Sequence, residues 1–336
     1  MMDLLYSATE EELRAAVRDL FADRVSTAKV LARAEADLAG VEDSGLWHTL
    51  AADMGCAGLA IPEEYGGAGA SWREVAVVAE EVGRALAPVP FLGSAVMATA
   101  ALLACDDREL LTALASGERT AALVMPFGGV IDALHADVLL VPTDDGLYAV
   151  DGASGVSRTP IVSLDLTRPL ADVTLDASNG RLIGPADAVV AALTAGAAIL
   201  ASEQLGVAEW CLTTTVEYVK QRHQFGRPVG SYQALKHRLA DLWVDLTQAR
   251  AAARYAAGCL ADNDPDLPIA VAVAQAHCSA VTVRAAEECV QMHGGIGFTW
   301  EHPAHLYLKR AKSQSLALGT ADRHRAALAE LVDLTL

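Results

Sequence analysis

Gln221-Arg222-His223-Gln224-Phe225-Gly226-Arg227-Pro228 closes one long apolar helical stretch and leads into another. An arginine at a helix end, with glycine and proline fixing the turn behind it, presents a planar guanidinium in a rigid setting suited to a pyrophosphate. Phe225 could cover or stack on a flat ring. Taken alone, the stretch reads more readily as a helix–helix connector with a cationic C-terminus. About seventy residues later comes Gln291-Met292-His293-Gly294-Gly295-Ile296-Gly297-Phe298-Thr299. Its paired glycines allow a backbone to approach a ligand closely, and Gln291 can bond an adenine or ribose edge. Alone, this too reads as a glycine helix stop.

The surroundings of both stretches are helical. One helix is predicted from about Ala186 to Arg222. A second runs from about Tyr232 to Leu260, with Leu235, Leu239, Leu242 and Leu246 on one face. A third spans about Ile269 to Met292 and is apolar on most sides. A fourth covers about Ala304 to Ser315, and a fifth about Asp322 to Leu334. Residues 1–117 also read as helices, with Thr9 before Glu10-Glu11-Glu12 as an acidic helix start. Glu80 and Glu81 read as a pair on the surface of a helix from Trp72 to Leu86. Between the helical regions, short apolar runs at Ala121–Met125, Ala136–Val141, Leu147–Val150 and Val173–Leu175 are separated by turn residues and predict a small antiparallel sheet. The predicted architecture is mainly α with a small β domain. An N-terminal helical domain (1–117) is followed by a reduced, antiparallel β domain (118–185) and a C-terminal four-helix bundle (186–336).

Composition narrows the function classes. The 336 residues are 53% hydrophobic but only 5% aromatic, which suits helices packed closely on helices. The formal charge of −18 is concentrated in front: residues 1–190 carry −17 and residues 191–336 only −1. An acidic chain argues against nucleic acid or an anionic membrane as a partner, and a phosphate ligand is better received by the balanced back half. The six cysteines lack metal or disulfide spacing and read as reduced thiols in a cytoplasmic protein. No basic n-region suggests a signal peptide. The apolar stretch Ala188–Ser202 is too short for a membrane span and ends at Glu203. His302 and His305 lack a further ligand, so no metal is expected.

Arg222-His223-Gln224-Phe225-Gly226 followed by Gln291-Met292-His293-Gly294-Gly295-Ile296-Gly297-Phe298 resembles the C-terminal bundle of acyl-CoA dehydrogenases. Pro62-Glu63-Glu64-Tyr65-Gly66-Gly67 resembles that family's N-terminal domain, and Leu318-Gly319-Thr320 sits where the family has Glu-Gly-Thr. The resemblance implies an FAD-dependent α,β-desaturation of an acyl-CoA thioester in lipid β-oxidation. It further implies a cytoplasmic tetramer with FAD between subunits and an electron-transfer flavoprotein or similar acceptor. By carry-over, Arg222, Gln224 and Phe225 face a neighbouring subunit's FAD, and Gln291, Gly294 and Gly295 hold its pyrophosphate–adenosine part. Thr320 meets the FAD of this chain's own β domain, with Asp322 in place of the family's glutamine two residues on.

The departures are as informative. In most members the glutamate that removes the α-proton directly precedes Gly-Thr; here it is Leu318. In others it lies on the first long C-terminal helix, at a position that aligns with Gly196, beside Ala197. Neither can take a proton. Glu203 is the nearest carboxylate on the C-terminal side, with a buried structural glutamate as its other reading. The β region lacks tryptophan and the family's flavin-facing segments. Three readings therefore stand: a subunit that lends half an FAD site to a non-identical catalytic partner, a self-sufficient homo-oligomer using Glu203, and a non-catalytic scaffold.

Overall fold

The computed structural model describes residues 3–36, 43–125, 128–153 and 155–334. Helix α1 (Ala8–Arg24) begins at a reciprocal cap. The Ser7 hydroxyl accepts from the Glu10 amide at 3.2 Å, and the Glu10 carboxylate accepts from the Ser7 amide at 2.6 Å. The start thus lies at Ser7 rather than Thr9. Helices α2 (Thr27–Ala36) and α3 (Ser44–His48) follow, then α4 (Trp72–Ala85), again opened by a capping box, Ser71 with Glu74. A wide-turn helical segment at Phe91–Ala98 runs into α5 (Thr99–Cys105), and α6 (Arg108–Ala115) ends the helical front.

The middle region is not one antiparallel sheet but two sheets. In the first, β1 (Ala121–Leu123) pairs in parallel with β3 (Val138–Thr143), which pairs antiparallel with β4 (Gly146–Asp151) and through it with β7 (Arg181–Gly184). In the second, β6 (Leu170–Thr174) lies between β2 (Val130–Ile131) and β5 (Ser157–Ile161). The chain leaves β1, places β2 in the other sheet and returns as β3 in the same direction. A buried parallel strand and a buried antiparallel one both appear as short apolar runs, so sequence could not separate them. Strand β5, Ser-Arg-Thr-Pro-Ile, escaped notice because it is polar and carries Pro160; both features are tolerated at its edge position.

The back of the chain is built on α7 (Ala188–Gln221), α8 (Gln233–Asp262), α9 (Leu267–His293), α10 (Ala304–Ala317) and a shorter α11 (Ala321–Leu331). Helix α7, about 50 Å long at 1.5 Å per residue, is the spine. Its first half packs on the front helices and first sheet, and its second half on α9 and α10. Alanines dominate its contact with α8 and α9, at Ala197, Ala198, Ala201, Ala249, Ala253, Ala256 and Ala274. Helices α7 and α9 are long and apolar enough to cross a membrane by length and composition, which exceeds the sequence expectation. About 72% and 67% of their most apolar windows are nevertheless buried in the bundle.

The crossing of α4 on α7 is closer still. A Cβ built on Gly83 would lie 2.1 Å from the Glu203 carbonyl oxygen, and one on Gly206 would lie 1.8 Å from that of Glu80. Each helix gives a glycine to the other's backbone, and backbone cannot swing aside as a side chain can. Gly206→Ala is expected to cost about 1–3 kcal/mol or more by overpacking, read as a lower urea midpoint with an unchanged slope. An unchanged midpoint would mean that the two helices separate easily.

Glu80 and Glu81 are not on the surface; both are about 1% exposed. Helix α1 lies across them. Arg14 and Arg18 donate to Glu81 at 3.1 and 2.6 Å, while Tyr6 donates its hydroxyl to Glu80. The sequence reading failed because paired mid-helix glutamates are ordinarily solvated. Burial, with the charge of Glu209, pushes Glu80 up to about 7, against the opposing pull of Arg254, Tyr6 and Arg14. The folded chain therefore binds a proton between about pH 4.5 and 7 that the unfolded chain releases. Its contribution to stability is present below that window and lost as pH rises through it. Glu80→Gln is expected to flatten the fall in urea midpoint between pH 5 and 7.5; a slope equal to wild type would place that titration elsewhere.

Candidate functional site

Arg222 caps the end of α7 in an extended conformation. Strand β8 (His223–Gln224) then pairs with β9 (Arg227–Pro228), in register His223 to Pro228 and Gln224 to Arg227. The two residues between them, Phe225 and Gly226, have φ of 54° and 77°. Two consecutive left-handed residues make the tight turn whose twist suits a hairpin. Glycine takes this at no cost, but a phenylalanine with positive φ is an outlier that costs about 1–2 kcal/mol. Phe225 is also 91% exposed. Among the described residues, none covers that ring.

Opposite the hairpin, α9 ends at Gly294, whose φ of 62° and ψ of −141° only glycine adopts readily. A Cβ on Gly297 would strike the Val290 carbonyl oxygen at 2.7 Å, so packing within the chain demands that glycine. Gly295 differs: its φ is ordinary and nothing lies within 4 Å of its missing Cβ. Its open face suits a group from outside the chain.

The hairpin and the glycine turn face each other across an open cavity of about 750 Å³, lined by Arg222, Gln224, Gln291, Gly294 and Gly295. Tyr218 ties the two walls: its ring stacks on His293 with centroids 4.3 Å apart, and its hydroxyl donates to the His293 carbonyl at 3.3 Å. Arg238 lines the same cavity but is paired with Glu288 at 2.6 Å. Arg222 has no carboxylate within ion-pair distance among the described residues. The cavity lies at the C-terminal ends of α7 and α9, whose dipoles disfavour an anion, so Arg222 supplies the attraction. One free guanidinium, two side-chain amides and a bare backbone fit a pyrophosphate with adjoining hydroxyls. Tyr218 and His293 were missed by the sequence reading. The helical spacing of Tyr218, one turn before Arg222, was the available signal.

Thr320 and Asp322 lie elsewhere. Thr320 lines a second cavity, of about 670 Å³, between the sheets and the bundle. Its hydroxyl caps α11 by accepting from the Arg323 amide at 3.2 Å. Asp322 points outward and pairs with Arg325 at 2.7 Å. Leu318 lines the same cavity, and a Cβ on Gly196 would fall 3.1 Å from Leu318 Cδ1 and 2.9 Å from Met97 Cγ. The two positions at which the resemblance places a catalytic carboxylate thus converge in space, and leucine and methionine fill the point of convergence. No carboxylate lines this cavity among the described residues.

Glu203 faces neither cavity. Its side chain is 1% exposed and is clamped by Arg168 at 2.6 Å, Arg310 at 2.6 Å and the Gln314 amide at 2.7 Å. Burial alone would raise its pKa, but the guanidiniums of Arg168 and Arg310 outweigh that and hold the carboxyl below its usual value. Arg310 also reaches Asp165 at 2.5 Å, fastening the loop before β6 to α10. A carboxylate whose pKa is lowered and whose oxygens are occupied is poorly suited to take a proton. This geometry matches the structural reading of Glu203, not the catalytic one.

Comparison with known proteins bears on the whole chain. Residues 7–118 match the description "Acyl-CoA dehydrogenase, N-terminal domain" and residues 186–332 match "Acyl-CoA dehydrogenase, C-terminal domain". Acyl-CoA dehydrogenase IpdE2 of Mycobacterium tuberculosis is 40% identical over 91% of this chain and 92% of its own length. Acyl-CoA dehydrogenase FadE34 of the same organism is 36% identical over 94% of this chain, which spans only 47% of that longer protein. Among solved structures, the ChsE4-ChsE5 complex from Mycobacterium tuberculosis superposes with a TM-score of 0.88 at 28% identity, covering 100% of both chains. A Tcur3481-Tcur3483 steroid ACAD variant superposes with a TM-score of 0.87 at 29% identity, over 97% of this chain and 98% of that one. The chain belongs to the acyl-CoA dehydrogenase family, FAD-dependent oxidoreductases that act on the CH–CH bond of acyl-CoA thioesters.

Proposed function

We propose that this chain is one subunit of a hetero-oligomeric acyl-CoA dehydrogenase and gives half of an FAD site to a non-identical partner that carries the base. The observation that carries this reading is the contrast between the two cavities. The one that would serve a neighbour keeps an unpaired Arg222, two amides and a bare glycine turn. The one that would serve this chain has apolar side chains packed where a carboxylate belongs. Two structural relatives that are named as pairs of proteins, at 29% and 28% identity, support it.

In this reading Arg222, Gln224, Gln291, Gly294 and Gly295 would hold FAD, which would supply the hydride acceptor for the substrate's β-carbon. Arg222 would donate charge-assisted hydrogen bonds to its pyrophosphate, and the Gln224 and Gln291 amides would serve its neighbouring polar groups. Gly294 and Gly295 let the backbone approach. Phe225, already held in its strained turn, would cover the flavin side and exclude water. The α-proton goes to a carboxylate of the partner, since Leu318 and Gly196 offer none. The substrate is an acyl-CoA, with a steroid-derived acyl group favoured by the steroid enzyme among the structural relatives. A cytoplasmic tetramer passing electrons to an electron-transfer flavoprotein or similar acceptor completes the proposal. Its test is the visible spectrum. The chain purified alone is expected to be colourless, and co-expression with a partner dehydrogenase subunit is expected to give a yellow complex that bleaches with its acyl-CoA. No flavin under either condition would favour a scaffold.

A further inference from the structure

The 670 Å³ cavity beside Leu318 has a composition of its own. Its volume lies within the roughly 300–1,000 Å³ that ordinarily encloses a drug-sized ligand. Its walls are Met97, Leu123, Ile131, Leu193 and Leu318, and two exposed apolar residues, Val190 and Leu316, stand among its lining. Four polar side chains reach it: Thr194, Thr320, Arg323 and His324. Two of them are already engaged. The Thr320 hydroxyl caps α11. His324 bonds the Leu318 carbonyl through Nε2 at 3.1 Å, which makes that nitrogen the donor. Burial, with the charge of Arg323, lowers the His324 pKa despite that bond, so the ring is neutral at pH 7.

Arg323 is therefore the single charged group at the cavity, and no carboxylate lies within ion-pair distance of it among the described residues. Thr194 remains to give one further hydrogen bond. A flavin nucleotide brings two phosphates, a ribityl chain and a polar ring edge. Each group left without a partner there costs about 1–3 kcal/mol. A molecule with one anionic end and an otherwise apolar body leaves nothing unpaired.

We infer that this cavity is a cofactor-free binding site for an apolar monocarboxylate, a fatty or polycyclic acid, with the carboxylate on Arg323 and the body between Met97 and Leu193. The inference rests on the half-site reading only in taking the cavity to be free of flavin. The full-length chain is titrated with cis-parinaric acid, a fluorescent polyene carboxylic acid, and with its methyl ester. Saturable binding of the acid is expected. Leu193→Trp, which fills the cavity, is expected to weaken both probes at least tenfold. Arg323→Gln, on the surface and safe for folding, is expected to weaken the acid about tenfold and the ester little. Absence of saturable binding, or equal binding by both variants, overturns this inference alone. Displacement of the probe by FAD with one flavin retained per chain overturns it together with the half-site reading.

Discussion

Glu203→Ala is expected to lower the folding stability of this chain by about 3–5 kcal/mol, the usual cost of removing one partner from a buried ion pair. The loss is large because the carboxylate answers two guanidiniums at once. Without it, Arg168 and Arg310 face each other in a buried interior, and the Gln314 amide loses its acceptor. Asp165 remains on Arg310, and Asp132 and Asp165 act on Arg168 only through space. Glu203→Gln keeps the shape and one acceptor, so its cost is smaller. It also separates the two roles open to this residue. In the complex with a catalytic partner, turnover per folded enzyme is expected to be unchanged in Glu203→Gln. A loss of turnover of a hundredfold or more, with an unaltered melting temperature, would restore Glu203 as the base.

The second large effect is expected at Arg222. In the assembled complex, Arg222→Ala is expected to weaken FAD binding by about 1.5–3 kcal/mol, the range for hydrogen bonds to charged groups, or about 10- to 150-fold in dissociation constant. The effect should shrink at high salt, since the site is open and the attraction screened. Arg222→Lys keeps the charge but loses the planar pair of donors, so it should recover only part of the affinity. Flavin release followed by fluorescence on dilution measures all three. Equal release rates in wild type and Arg222→Ala would remove this residue from the cofactor site.

Much of the architecture was legible in the sequence because its signals are local. Helical periodicity marks α4 and α7 to α10 within a few residues of their ends, and the glycines at 294–297 mark where α9 stops. The sheets were less legible, because the direction of β1 against β3 depends on where the intervening chain goes and not on either strand's composition. The ion network around Glu80, Glu81 and Glu209 was invisible for a related reason. Apart from Arg84 of α4 itself, its arginines come from α1 and α8, and the packing of those helices turns a surface-like Glu-Glu pair into a buried one.

At the site, the two motifs seventy residues apart could be named from sequence, and the structure brings them to one cavity. What sequence could not give was the conformation of Phe225, whose positive φ is dictated by the two-residue hairpin around it. Nor could it show that Leu318 and Gly196 meet, with Met97 from a distant helix completing the plug. That contact joins two separate substitutions into one physical statement: among the described residues, apolar side chains and no carboxylate stand at the point where the family places one.

The central claim is that this chain gives half a flavin site and takes none. Counting bound FAD per polypeptide tests it most directly, by absorbance against quantitative amino-acid analysis of the chain alone and of the complex with its partner. The expected result is no flavin on the chain alone and one FAD for each pair of non-identical chains. One FAD per chain in the protein purified alone, bleached on adding an acyl-CoA, would contradict it.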